Sequence, residues 1–145
     1  MADVKIVDID NEQWNMKDQE ARNRIAALEE LFVTKDLPDV EINLNTGYTA
    51  TQIEGYSHYK IGKIHFINII IRDIAGSNVG TANTARVATT SLRPKKETSF
   101  IMNDSYNKVA MRCYLDADGT IAIGESTGVT QGSNTCYGGL IFAEA

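Results

Sequence analysis

The sequence is poor in the residues that usually announce chemistry or staple a fold. Its 145 residues include only two cysteines, two prolines and two histidines. Cys113 and Cys136 are too few for a disulfide framework, so nothing demands an oxidising compartment, although a single bridge between them is compatible with the sequence. Two prolines exclude a proline-rich linker. His58 and His65 stand near no cysteine pair and are too few for a zinc site, so no metal is expected. Positive charge is also scarce: 14 Lys and Arg face 19 Asp and Glu, a formal net charge of -5. That balance disfavours nucleic acid as a partner, because phosphate binding needs a basic face. No apolar run approaches the length of a membrane span, so no membrane insertion is expected. The opening MADVKIVDID has no basic region followed by an apolar stretch, which argues against a signal peptide. No serine lies in a nucleophile-elbow context. The sequence therefore predicts no catalytic residue and no cofactor.

What is present falls into two parts. WNMKDQEARNRIAALEELF, residues 14 to 32, reads as a helix. Asp10 can cap it, with Gln13 at the capping-box spacing. Asp18 with Arg22 and Glu20 with Arg24 form i, i+4 pairs that suit an exposed helix. Pro38 discourages helix beyond about residue 36. The apolar residues fit a heptad, with Trp14, Ala21 and Leu28 at d and Ile25 and Phe32 at a. Asn11 and Asp18 also fall at a, where polar residues weaken a coiled coil but help to fix register. Such a stripe is narrower than the face a globular helix usually buries. Two readings follow: a helix lying on the sheet of its own domain, or a parallel bundle of helices from identical chains. The second is preferred, because the rest of the sequence offers no other helix.

Residues 34–46, TKDLPDVEINLNT, read as a neck or linker, in which VEINL alternates and can form a short strand. From there onward the signals are strand and turn. The strongest run is YKIGKIHFINIIIRD, residues 59 to 73. Ile64, Phe66, Asn68 and Ile70 lie on one face, and Ile61, His65, Ile67, Ile69 and Ile71 on the other. Both faces are apolar in the second half, whereas a strand of an open antiparallel sheet usually buries one. NKVAMRCYLDADGTIAI reads as a hairpin turning at Asp118-Gly119. Val109, Met111, Cys113 and Leu115 share one face of it, and Ala110, Arg112 and Tyr114 the other. Asp116-Ala117-Asp118-Gly119 resembles the start of a calcium loop but lacks further ligands, and a plain turn explains it. YGGLIFAEA closes as a final strand. The expected fold is mainly β: an antiparallel β-sandwich or jelly-roll-like head over residues 47–145, after a helical stem over 1–33.

The polar loops are suited to binding a small molecule. MNDSYNK places Asn103, Asp104, Tyr106 and Asn107 together, and SNTCY adds Tyr137. Amide and carboxylate groups hydrogen-bond sugar hydroxyls, and a tyrosine face covers the apolar side of a pyranose. His58, between Tyr56 and Tyr59, either joins such a site or is a solvent-side strand residue. His65 reads as a packed or interface histidine.

These motifs, in this order, resemble a known family. Trp14, Lys17, Asp18, Glu20 and Arg22 form a W-x-x-K-D-x-E-x-R pattern. Tyr59-Lys60-Ile61-Gly62-Lys63-Ile64 opens a long β run. Arg93-Pro94, the Asp118-Gly119-Thr120-Ile121 hairpin and an apolar last strand follow. The sequence is similar to the receptor-binding, baseplate or tail-fibre proteins of tailed bacteriophages, or prophages, of Gram-positive bacteria. The resemblance implies a non-enzymatic homotrimer located in the virion at the tail tip or baseplate and assembled in the bacterial host cytoplasm. Its helices would form a coiled-coil stem and its β heads would bind host cell-wall saccharide, with other tail or baseplate proteins as partners. It carries over the region from Asn103 to Asn107 as saccharide-binding. It also suggests a trimer interface of Trp14, Asp18, Ala21, Ile25, Leu28 and Phe32 in the stem, with Ile67, Ile69 and Ile71 in the head while Ile64, Phe66 and Ile70 fill the sandwich. The competing readings are a purely structural tail or baseplate protein, a polysaccharide depolymerase or esterase, and a monomeric carbohydrate-binding module.

Overall fold

A computed structural model describes residues 19–28 and 34–145. The chain divides into two units, Met1–Val33 and Thr34–Ala145. In the first, residues 19–28 are α-helical. Arg24 bonds Glu20 at 2.5 Å, and Gln19 bonds Asn23 at 2.9 Å, each one turn apart. Ile25 and Leu28 are each 55% exposed. The seam positions Trp14, Asp18 and Phe32 lie outside the described residues.

The second unit is one antiparallel sheet of nine strands. They are β1 (Thr34–Asp36), β2 (Ile42–Leu44), β3 (Gln52–Ile61), β4 (Ile64–Arg72), β5 (Ala85–Thr90), β6 (Thr98–Asp104), β7 (Val109–Leu115), β8 (Thr120–Ile123) and β9 (Thr135–Ala143). The spatial order is β1-β3-β4-β9-β6-β7-β8-β5-β2. This corrects two expectations. A two-sheet sandwich is replaced by a single sheet that curls toward a barrel. Residues 34–46 are not a neck, since they supply β1 and β2. Alternation of period two is the same for a sandwich and a barrel, so it could not distinguish them.

The segment that begins with β1 closes the curl. Thr34, Lys35 and Asp36 pair with Ile61, Lys60 and Tyr59 of β3. Val40 then bridges Gly55 of β3, and β2 crosses to pair with β5 at the other edge. One stretch of chain thus stitches the two sheet edges together and leaves few unpaired edge groups. Gly55 is the residue that permits this approach. A Cβ there would stand 3.0 Å from Val40 Cβ and 3.2 Å from Ile67 Cγ2.

The core fills the inside of the curl. Ile69, Ile71, Met102, Met111, Cys113, Leu115, Ile121, Ile123 and Leu140 are fully buried in it. Full burial of such side chains is worth about 1.5–3 kcal/mol each. Ile67, Ile69 and Ile71 therefore cannot line a surface interface. They are core, and the outward residues of β4 are Ile64, Phe66, Asn68 and Ile70. The two faces of this strand are both apolar, as the sequence shows, but their assignment is the reverse of the expected one. Cys113 and Cys136 are both buried and both free, so no bridge joins them. Burial pushes both thiols up to about 12.

Two local devices aim side chains. The β7–β8 hairpin turns at Asp118-Gly119 as its sequence predicts. Gly119 has φ +86, and Asp118 Oδ1 accepts the Thr120 amide at 2.9 Å. On β3, the pairing with β4 shifts register between Tyr56 and Tyr59, and Ser57 takes φ 50. This bulge breaks the alternation and turns His58 inward, where it is 8% exposed.

Candidate functional site

The expected saccharide residues do not form one cluster. Asn103 and Tyr137 are paired across β6 and β9, and both are exposed on the outer face. Tyr106 projects from the β6–β7 turn, 72% exposed. Asp104 is buried and already committed. Its carboxylate accepts the Tyr106 amide at 2.9 Å, the Asn107 amide at 3.2 Å and Asn107 Nδ2 at 2.5 Å. Burial pushes its pKa upward, but the hydrogen bonds from Asn107, Tyr106 and Asn134 outweigh that and hold it below the usual carboxylate value. Asp104 thus acts as the acceptor that shapes the turn. His58 is not on the surface at all, because it faces the interior and contacts His65.

Two clefts lie on the outer face of β5, β8, β7 and β6. Strand register builds that face in rows. Arg86, Ala122, Tyr114 and Ser99 lie side by side across four strands. Arg112 and Ile101 form the next row, and Ala110, Asn103 and Tyr137 the one after. Ala110 and Ala122 are small, so the face is hollow on either side of the larger Tyr114 and Arg112. One cleft, of about 410 Å³, is lined by Thr84, Arg86, Glu97, Tyr114, Asp116 and Ala122. A second, of about 390 Å³, is lined by Ile101, Ala110, Arg112, Tyr114, Glu125 and Thr127. They share Tyr114.

The polar groups of these clefts are held in place. Arg86 Nη1 donates to Asp116 Oδ2 at 2.8 Å. The Arg112 guanidinium stands 5.2 Å from the centroid of the Tyr114 ring, a cation–π contact. Gly124 leaves room for that ring, since a Cβ there would come within 2.9 Å of Tyr114 Cε2. Forked guanidinium donors and carboxylate acceptors around one aromatic ring can recognise adjacent hydroxyls, and the ring can cover a C–H face. Among the described residues no group of three His, Cys, Asp or Glu could hold a metal ion.

No family model matches the sequence, and no curated protein matches it. Solved structures do match the fold. The receptor binding protein of Listeria phage PSA aligns with a TM-score of 0.55 at 18% identity, over 93% of this chain and 79% of that one. The head domain of the lactococcal phage bIL170 aligns with a TM-score of 0.50 at 17% identity, over 76% of this chain and all (100%) of that one. The chain has the fold of phage receptor-binding proteins. The sequence did not single out Arg86, Arg112, Tyr114 and Asp116 as a candidate site. The signal for part of it was present, because Ala110, Arg112 and Tyr114 alternate on the outer face of a hairpin. Arg86 comes from β5, and only the sheet order brings it beside Ala122.

Proposed function

We propose that this protein is a phage receptor-binding protein, a non-enzymatic adhesin of the virion tail that binds host cell-surface saccharide. The reading is carried by the pair of clefts meeting at Tyr114 on the outer face of a fold shared with two phage receptor-binding structures. Asn103 and Tyr137 border the second cleft and extend the site. Asp104 shapes the neighbouring turn from which Tyr106 and Asn107 approach. A single site of this openness binds weakly, and several copies on one tail supply avidity through effective concentration.

The assembly we propose is a homotrimer. In the head, its interface is the outer face of β3, β4 and β9. Ile64 is 46% exposed there and Ile141 59%, and Tyr59 stacks on Phe66 with centroids 4.8 Å apart. An apolar patch of this kind marks an association surface. These residues take the role first expected of Ile67, Ile69 and Ile71. Exposed Ile25 and Leu28, with Ala21, continue the association into a coiled-coil stem.

The test is adsorption of the purified full chain to host cells and to their cell-wall polysaccharide, beside its mass in solution. Saturable saccharide binding by a trimer supports the proposal. A trimer with no saccharide binding turns the reading toward a structural tail or baseplate component. Cleavage of the polysaccharide into smaller products turns it toward a depolymerase.

A further inference from the structure

The two histidines of the chain meet inside the fold, away from the clefts around Tyr114. His58 Nε2 and His65 Nδ1 are 2.8 Å apart. The outer nitrogens are also engaged. His58 Nδ1 lies 3.3 Å from the Pro38 carbonyl oxygen, and His65 Nε2 lies 3.1 Å from Glu144 Oε2. Lys60 Nζ holds the same carboxylate at 2.8 and 2.9 Å. Phe142 stacks on the His65 ring with centroids 4.8 Å apart and closes one side.

These contacts fix the number of ring protons they need. Pro38 O and the Glu144 carboxylate only accept, so each needs an N–H from its histidine. The central contact needs one N–H and one lone pair. Three ring protons on four nitrogens satisfy all three contacts. Two neutral rings carry only two protons, and one contact must fail. Two imidazolium rings carry four, and two N–H groups then collide at the centre.

We propose that His58 and His65 share one extra proton and form an acid-sensitive clasp that holds residues 37–40 to the β3–β4 hairpin. The charge is accommodated beside Glu144. The second proton would fall on His58, where burial, then the neighbouring His65, and also Lys60, disfavour it, against the Pro38 carbonyl and Asp39, so its pKa lies below the ordinary imidazole value. Arg93 shares the adjoining cleft with His65 and Glu144 and adds positive charge there. The mechanical link is short. The Leu37 amide donates to His58 O at 2.8 Å, and the Val40 amide to Gly55 O at 2.8 Å. Residues 34–44 stitch the sheet edges, so pushing His58 away from His65 loosens the seam of the barrel.

The sign follows from proton counts. Below the ordinary imidazole pKa of 6.5 the unfolded chain holds two imidazole charges and the folded pair one, so stability rises with pH. The clasp therefore loses strength as pH falls below 6.5. Asp104, Asp118 and Glu144 add nothing to this window, since each is held below its ordinary value of 3.8 to 4.5.

The test uses the full chain labelled with ¹⁵N, in which the only imidazoles are these two. Long-range ¹H–¹⁵N spectra from about pH 5 to about pH 8 bracket the ordinary histidine range. His58 is expected to take up its second ring proton only below 6.5, with three protonated nitrogens on the pair before that step. At the acid end the Leu37 and Val40 amides should lose protection from exchange while Met111 keeps it. A second ring proton on His58 already present above 6.5, or a melting temperature that does not fall below 6.5, overturns the proposal. His58→Gln should remove the fall in melting temperature at the acid end. If that variant does not fold, Glu144→Gln serves instead, and should leave two protonated nitrogens on the pair where the wild type holds three at the same pH; three in the variant overturn the proposal.

Discussion

Truncating Ile69 and truncating Ile64 separate the two possible assignments of β4. Ile69 is fully buried, with Gly55 and Gly138 as its cross-strand neighbours, so little around it can fill a gap. Ile69→Ala removes three methylene equivalents, about 2.4 kcal/mol at about 0.8 each. The cavity left behind adds about 1–2 kcal/mol, which brings the total to about 3.4–4.4 kcal/mol. Ile64 is 46% exposed. Ile64→Ala loses about half the transfer term and opens no cavity, about 1 kcal/mol in the isolated protomer. Urea denaturation measures both: with a slope of about 1–3 kcal/mol per molar, the Ile69 variant should shift its midpoint by more than about 1 M. The Ile64 effect should grow with protein concentration, because that residue lies on the proposed interface, and the Ile69 effect should not. A larger loss from Ile64→Ala at low concentration would refute the assignment of the faces.

Other expectations rest on single residues. Gly138→Ala puts a methyl group inside the van der Waals contact of the Ile101 carbonyl oxygen and 3.1 Å from Met102 Cα, so β6 must move off β9. It should cost about 1–3 kcal/mol or more by thermal melting. Asp104→Asn should cost about 1.5–3 kcal/mol at neutral pH, as a charged acceptor of several hydrogen bonds is lost. The wild-type contribution of Asp104 is present above its ordinary value of 3.8 and is lost as pH falls through its lower folded pKa, so the variant should show less acid destabilisation below pH 3.8. Cys113 and Cys136, buried and with pKa pushed up to about 12, should resist a thiol reagent at mildly alkaline pH until the chain is unfolded. Fast labelling of the native protein would place them at the surface.

Much of the β architecture was legible because it rests on local signals. The Asp118-Gly119 turn is fixed by the backbone that glycine allows, and β4 by a run rich in β-branched isoleucine. Where two local patterns were equally good, the sequence could not choose. Ile64, Phe66 and Ile70 match Ile67, Ile69 and Ile71 in apolar character, and only the curl of the sheet decides which set is inside. His58 escaped because a bulge at Ser57 adds one residue and reverses the face that alternation assigns. The strands β1 and β2 are three residues each. That is too short for a period to show, and their pairing is long-range. Asp104 looked like a ligand because aspartate in a polar loop suits both roles, and the distinction lies in whether its oxygens are already occupied. The site around Tyr114 is assembled from β5, β6, β7 and β8, so no single stretch contains it.

The proposed binding of saccharide on the outer face around Tyr114 is tested by the change in amide and side-chain resonances of the ¹⁵N-labelled protein as fragments of host cell-wall polysaccharide are added. Saturable shifts at Arg86, Arg112, Tyr114 and Ala122, abolished by Tyr114→Ala in a variant that still folds, are the predicted result. Saturable shifts confined to residues 104–107, or no shifts at any concentration of a saccharide that the intact phage adsorbs to, would contradict it.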